Sequence, residues 1–176
     1  MTTDNEPVSF KATCAALHLR PMGIIHSPFK EPTGMPIQPV FAEGTEGTVE
    51  VLPQYAEGLR DLEGFDRLWL IYHLHYAPHG KMRVVPFRDN REHGIFATRS
   101  PCRPNPIGLS CLPLLRIGGN TLRVGGVDIL DGTPLLDIKP YVPAFDSFPD
   151  AKAGWLDAQR VDRTHADERF KPGGTR

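Results

Sequence analysis

Hydrophobic and polar residues alternate along several short segments of the chain, in the pattern of strands that bury one face. Residues 47–52 alternate in this way, and residues 107–117 and 121–130 form two longer apolar-rich segments. The Gly-Gly-Asn sequence at 118–120 that joins these two segments is typical of a hairpin turn. Three shorter strands are expected at residues 18–25, 94–98 and 135–141.

Two segments depart from this alternation. Residues 65–76 are almost continuously apolar, which predicts a central strand buried on both faces. Residues 53–64 predict one short helix, because Pro53 suits the first helical position, Leu59 and Leu62 share a face, and Gly64 follows as a stop signal. Residues 77–93 are polar and basic, which favours a loop.

Composition restricts the fold class further. The chain of 176 residues contains 17 glycines and 18 prolines, about one residue in five, and helix interiors reject both residue types. We therefore predict a mainly β protein, a small β-barrel or a strongly curved sheet with one or two short helices, unlike a Rossmann fold. The expected organisation is a flexible leader at 1–18, the barrel domain at 19–156 and a charged tail at 157–176.

The charge and the cysteine content say little about function, but they indicate the cellular compartment in which the protein is expected. A net charge of −1 gives no general attraction to a polyanion, although it allows a local basic face. The three cysteines lack the spacing of a metal finger, and no apolar run is long enough to span a membrane. We expect a cytoplasmic protein with reduced thiols and no membrane association.

The segment at 97–109 carries the first candidate chemistry. Its prolines at 101, 104 and 106 fix the backbone and present Arg99, Arg103 and Asn105 in a set geometry. These planar donors suit carboxylates, phosphates or base edges. A rigid surface turn with solvated arginines is the alternative interpretation.

The predicted strand at 135–141 carries the second candidate. Asp137, Lys139 and Tyr141 fall on one face of this strand, where a carboxylate, an ammonium and a phenol can form an acid–base set. An ordinary Asp–Lys contact on a solvated barrel strand explains the same pattern and is favoured by composition alone.

Histidines and basic residues form two weaker patterns. His73, His75 and His79 can lie close together, but no acidic residue follows them closely, so we assign no metal. Residues 81–91 contain four basic residues and one acidic residue. Such a run can follow a phosphate backbone, although it is more often a solvated loop.

Several ordered blocks resemble the TrmO-type, or TsaA-like-domain, proteins. The segment at 94–110, GIFATRSPCRPNPIGLS, resembles the signature of this family, as does DGTPLLDIKPY at 131–141 with Asp146 after it. The segments PMGIIHSPF at 21–29 and GLRDLEGFDRLW at 58–69 fit in the same order. The resemblance extends over about residues 19–155.

The resemblance implies a β-barrel that binds S-adenosylmethionine, works as a homodimer and methylates N6 of threonylcarbamoyladenosine beside the anticodon of tRNA. The residues implied to contact the cofactor are Pro36, Ile37, Gln38, Leu74, His75, Arg99, Leu109, Asp131, Gly132, Thr133 and Pro134. Because the acceptor nitrogen must lose a proton, we expect Asp137 or Tyr141 to assist that step. Lys139 or Arg103 would orient the substrate's carboxylate, and Asn105 is a further candidate for binding the substrate.

Three other functions remain open at this point. The same barrel can bind S-adenosylmethionine and act on a substrate other than tRNA. It can also serve as a sensor that binds the cofactor without catalysis. The histidine pattern leaves a metalloenzyme as the third alternative.

Overall fold

The computed structural model describes residues 17–78, 80–159 and 163–170. The predicted leader at 1–18 therefore lies almost entirely outside the described residues, as do His79 and parts of the predicted tail. Eight strands are present in the described chain: β1 (Gly23–His26), β2 (Glu46–Val51), β3 (Arg67–His73), β4 (Arg83–Val84), β5 (His93–Gly94), β6 (Ile107–Gly118), β7 (Thr121–Gly125) and β8 (Thr133–Pro140).

Six of these strands form a closed barrel in the order β1-β2-β7-β6-β3-β8, and every neighbouring pair is antiparallel. The ring closes because β8 pairs with β3 on one side and with β1 on the other. The hairpin between β6 and β7 confirms the turn predicted at 118–120, where Gly119 adopts a φ of 62°. The predicted fold class, a mainly β single barrel, is confirmed.

The barrel interior is filled by aliphatic side chains from alternating strand positions. In β2 the inward residues are Gly47, Val49 and Val51, and in β3 they are Leu68, Leu70 and Tyr72. This period of two places one face of each strand in a common core. The strand at 67–73 therefore buries one face fully, and its outward Trp69 and Ile71 are half-buried. The prediction of a strand buried on both faces was wrong, because a curved barrel wall has only one interior side.

Two predicted local structures also differ. Residues 53–64 form two 3-10 turns, Pro53–Leu59 and Leu62–Gly64, instead of one α-helix. Asp61 between them has a φ of 63°, which interrupts a right-handed helix. Residues 94–98, expected as a strand, contain the 3-10 turn Ile95–Ala97, in which Ile95 is buried and Phe96 is 72% exposed.

Short elements surround the barrel. The predicted loop at 77–93 contains β4, which pairs with β5 as a separate ribbon. The sole α-helix of the described residues is α1 (Pro143–Asp146). Within the predicted tail, the Thr164 and Ala166 backbone pairs with residues 34–37, through Ile37 N–H to Thr164 O at 2.9 Å and Ala166 N–H to Met35 O at 2.7 Å. No helix in the described part of the chain is long and apolar enough to cross a membrane.

Close packing between β3 and β6 depends on a glycine. Gly108 pairs with Tyr72, and a Cβ atom at Gly108 would lie 2.1 Å from the Tyr72 ring. This position leaves no room for a side chain unless the buried ring moves. The ring of Tyr72 is thus held in place near the end of β3.

Gly108→Ala should lower the free energy of unfolding by about 1–3 kcal/mol, because overpacking forces a buried ring off its position. Gly118→Ala in the same strand is the matched control, since a Cβ there meets no atom within 4 Å. Urea unfolding of both variants measures the difference. Equal stabilities would contradict the packing described for Tyr72.

Candidate functional site

A cavity of about 390 Å³ opens at one end of the barrel. We call it the mouth cavity. It lies where β3 ends and where β6 and β8 begin, and the loop after β1 covers one side of it. Its volume falls within the range of small-molecule sites. Lining residues come from six separate parts of the chain, at 32–38, 72–77, 87, 98–109, 128–133 and 166–167.

Many residues proposed from the sequence meet at this cavity. Those that line it are Pro36, Ile37, Gln38, Leu74, His75, Arg99, Leu109, Thr133 and the substrate candidate Arg103. Asp131, Gly132, Pro134 and Asn105 are not among its lining residues. Three of the four proposed cofactor-binding segments therefore line the cavity with all of their proposed residues. The fourth, at 131–134, lines it with Thr133.

The loop that carries residues 36–38 is held from both sides. Its backbone pairs with Thr164 and Ala166, as described above. On the cavity side, Arg99 donates a hydrogen bond from Nη1 to Gln38 Oε1 at 2.5 Å. This contact joins the first proline-rich loop to the second, and it places the exposed guanidinium of Arg99 at the cavity wall.

Arg103 is engaged in holding its own turn. Its Nη1 donates to the carbonyls of Thr98 at 2.8 Å and Ile95 at 3.2 Å, and its guanidinium lies 5.8 Å from the centroid of the Phe96 ring. The segment thus has a defined shape, as its prolines predicted. The contacts with Ile95 and Thr98 use the donors of one guanidinium nitrogen and leave the others available to a ligand.

Asp131 serves as an anchor behind the cavity. Its carboxylate accepts hydrogen bonds from Lys30 Nζ at 2.5 Å and from the Ser27 backbone N–H at 3.0 Å. These donors lower the pKa of Asp131, so the carboxylate stays ionised and fastens the loop after β1 to the turn before β8. Gly132, with a φ of 75°, makes that turn possible.

Sequence reasoning missed a chain of three polar groups at the cavity, of which Tyr72 and Ser110 are buried and Asp128 is partly buried. The Tyr72 hydroxyl lies 2.9 Å from Ser110 Oγ, and Ser110 Oγ donates to Asp128 Oδ1 at 2.7 Å. Tyr72 and Asp128 both line the cavity. Asp128 stands between the buried Val127 and Ile129, and an acidic residue in so apolar a segment was the signal available in the sequence.

Burial controls the protonation of the linked groups Tyr72, Ser110 and Asp128. It raises the pKa of Asp128 to about 6, against the opposing effects of the Ser110 hydrogen bond and the Arg99 charge. Burial and the Asp128 charge together raise the pKa of Tyr72 far above its usual value. Tyr72 therefore keeps its proton and donates to Ser110, while Asp128 presents an ionised carboxylate to the cavity at neutral pH.

His75 also lines the cavity, as a neutral ring. Burial lowers its pKa, and its Nδ1 lies 3.5 Å from Thr133 Oγ1. Its ring packs edge-on against Tyr76 at a centroid distance of 4.6 Å. Within the described residues, no three His, Cys, Asp or Glu side chains are grouped to hold a metal ion.

The three proposed acid–base residues lie outside the mouth cavity. Lys139 Nζ is 2.9 Å from Asp137 Oδ2, and Asp137 Oδ1 accepts the Ile138 backbone N–H at 2.9 Å. Tyr141 packs its ring 6.0 Å from that of Trp69. The structure thus brings Asp137 and Lys139 together on the barrel wall, while their role in catalysis stays a prediction.

Comparison with known proteins connects this geometry to a family. Residues 24–147 match the family model of the tRNA-methyltransferase O N-terminal domain. A Pyrococcus abyssi protein named "Probable S-adenosyl-L-methionine-binding protein" is 53% identical over 153 residues, which cover 86% of this chain and 83% of that protein.

Two further relatives are longer than this chain. The tRNA (adenine(37)-N6)-methyltransferase of Escherichia coli is 40% identical over 144 residues, covering 76% of this chain and 61% of that protein. The crystal structure of TrmO from Pseudomonas aeruginosa superposes with a TM-score of 0.69 at 40% identity, covering 82% of this chain and 63% of that one. The chain thus spans less than two thirds of the length of both proteins.

Asp128 should make the stability of the protein depend on pH. Because its pKa rises from 3.8 to about 6 on folding, the folded chain binds this proton more tightly than the unfolded chain does. The contribution of Asp128 to the free energy of unfolding should fall as pH rises from about 4 to 7, by up to about 3 kcal/mol. Urea unfolding across this range should show Asp128→Asn gaining stability relative to the wild type as pH increases.

The control for this experiment is Asp137→Asn, which removes a carboxylate from the barrel wall. Its stability relative to the wild type should not follow the same rise between pH 4 and 7. If Asp128→Asn and the wild type lose stability in parallel over this range, the buried carboxylate does not titrate as described.

Proposed function

The chain belongs to the family of tRNA-methyltransferase O N-terminal domains, and on that premise we propose that it is an S-adenosylmethionine-dependent methyltransferase. Its proposed acceptor is N6 of threonylcarbamoyladenosine beside the anticodon of tRNA. The observation that carries the proposal is the mouth cavity, at which loop residues 36–38, Leu74, His75, Arg99 and Leu109 converge. In keeping with the family, we also propose a cytoplasmic homodimer.

The residues of the mouth cavity fit the cofactor in size and chemistry. Its volume of about 390 Å³ suits a nucleoside-sized ligand, and Ile37, Leu74 and Ile129 provide apolar walls for a ring. Arg99 supplies a planar cationic donor for the carboxylate of an amino acid moiety. The Asp128 carboxylate supplies a negative potential that favours a positively charged sulfonium group.

When bound, the cofactor supplies a methyl group that is already activated for transfer to a nucleophile. The protein must then orient the acceptor nitrogen, exclude water and take up a proton. Asp128 has the properties of a proton acceptor: it faces the cavity, and its pKa of about 6 leaves it ionised near neutral pH. We therefore add Asp128 to Asp137 and Tyr141 as a candidate base and favour it by position.

The cofactor proposal is tested by calorimetric titration with S-adenosylmethionine. Arg99→Ala should weaken binding about 10–100-fold, because a charge-assisted contact contributes about 1.5–3 kcal/mol. Arg116→Ala, which removes an exposed arginine of β6 that does not line the cavity, should bind within about twofold of the wild type. A wild-type protein that gives no binding heat would contradict the cofactor assignment.

Methyl transfer is tested with tRNA that carries threonylcarbamoyladenosine, read by mass spectrometry of its nucleosides. Wild-type protein should add one methyl group, and Asp128→Asn should lower kcat by about 10²–10⁴-fold, the range of general base catalysis. Asp137→Asn should retain most activity if Asp128 is the base. The opposite ranking of the two variants would assign the base role to Asp137. Cofactor binding without any methylated nucleoside would favour a binding-only or non-tRNA function.

A further inference from the structure

A second and larger cavity, of about 750 Å³, lies beside the mouth cavity. A ligand can extend from one into the other, because the two share the lining residues Ile37, Gln38, Phe87, Thr98, Arg99 and Leu109. We call the second one the arginine groove and define it by Arg67, Arg88, Arg99, Trp69, Phe96 and Trp155. The described residues that line it include three arginines and no aspartate or glutamate.

Arg88 provides the first cation of the groove. It is half-buried and lines the groove wall. Its Nε is covered by the protein itself and has no hydrogen-bond partner in the described structure, so this atom is not counted as a contact for a ligand. Arg88 belongs to the basic run at 81–91 that the sequence singled out, from which only Phe87 lines the mouth cavity.

Arg67 supplies a second cation on the barrel wall. It is exposed, and its Nη2 donates to the Cys111 carbonyl at 3.2 Å, which fixes one nitrogen of the guanidinium. A guanidinium has five N–H donors, so several remain for an outside acceptor. Arg67 and Arg88 therefore give the groove two donors suited to phosphate oxygens.

Aromatic side chains stand next to these cations. The Phe96 ring is 72% exposed on its 3-10 turn. Trp155 is fixed by a hydrogen bond from Nε1 to the Ala97 carbonyl at 2.8 Å and by stacking on His93 at a centroid distance of 4.3 Å. The Trp155 ring is half-buried, with His93 against one face, and the Phe96 ring is exposed. Aromatic rings beside arginines are the arrangement that binds single-stranded nucleic acid.

We propose that the arginine groove binds the single-stranded RNA that flanks the modified adenosine. Arg67 and Arg88 contact phosphates, and Phe96 and Trp155 stack on neighbouring bases. This inference rests on the proposed function, because it supplies the means by which an adenosine in the mouth cavity stays connected to the rest of its loop. It also explains how a chain with a net charge of −1 can hold a polyanion at one place.

A second copy of the chain is the other occupant to consider, since Phe96 and Val40 are exposed apolar residues of this groove. In a twofold interface the same patch faces itself. The groove's three arginines would then approach three identical arginines, with no acidic lining residue to pair with them. Charge complementarity therefore favours RNA.

The test is fluorescence anisotropy with a labelled anticodon stem-loop at several salt concentrations. Arg67→Ala and Arg88→Ala should each weaken binding about 5–100-fold, and each should reduce the slope of log affinity against log salt by roughly 0.7. Phe96→Ala should weaken binding to a similar extent and leave the salt slope unchanged, because stacking releases no counterions. Arg116→Ala, with one arginine removed outside the groove, is the matched control.

Each outcome of these experiments either supports the inference or overturns it. If the groove variants bind RNA like Arg116→Ala while the wild type binds and methylates tRNA, the inference is wrong and the proposed function stands. If the wild type binds cofactor but neither binds nor methylates tRNA, the proposed substrate fails and the inference fails with it. If sedimentation shows that the groove variants lose only self-association, a second copy occupies the groove and the inference is overturned.

Thermal melting is the control for folding. Should Arg88→Ala fail to fold, Arg67→Ala and Phe96→Ala decide the question, since both side chains are exposed.

Discussion

The pairing of β8 with two partners is the constraint on which the site depends. Residues Gly23–Ile25 pair with β8 on one edge, and Leu68–Tyr72 pair with it on the other. Closure of the sheet brings to one end the loop at 36–38, the end of β3, the proline segment and the turn at Asp131. Asp131 reinforces the closure through Lys30 and the Ser27 backbone. Without both pairings of β8, the sheet would not hold the loop after β1 beside the end of β3.

The barrel could be predicted because its signals are local. Alternation in residues 47–52, the Gly-Gly-Asn turn and the abundance of glycine and proline each report strands and turns. The predictions that were wrong concern features set by the whole molecule. The apolar run at 65–76 has its outer face only half covered because the wall curves. The expected helix at 53–64 is broken at Asp61, whose left-handed backbone aspartate tolerates but does not by itself predict.

The same distinction between local sequence signals and features set by the whole fold applies to the site. Its loop residues were inferred from resemblance, and most of them line the mouth cavity, although their roles there stay predictions. The Tyr72–Ser110–Asp128 chain was missed because its members lie 38 and 18 residues apart in sequence and meet only when β6 pairs with β3 and β7. Likewise, nothing in the run at 81–91 marked Arg88 as the residue whose Nε would be buried without a partner.

The central claim is that the mouth of this closed barrel holds S-adenosylmethionine. A crystal structure of the protein with that ligand tests it most directly. The account predicts ligand density between the loop at 36–38, Arg99 and Asp128, with the sulfonium nearer to Asp128 than to the Asp137–Lys139 pair. Density on another face of the barrel, or an empty mouth cavity at saturating ligand, would contradict it.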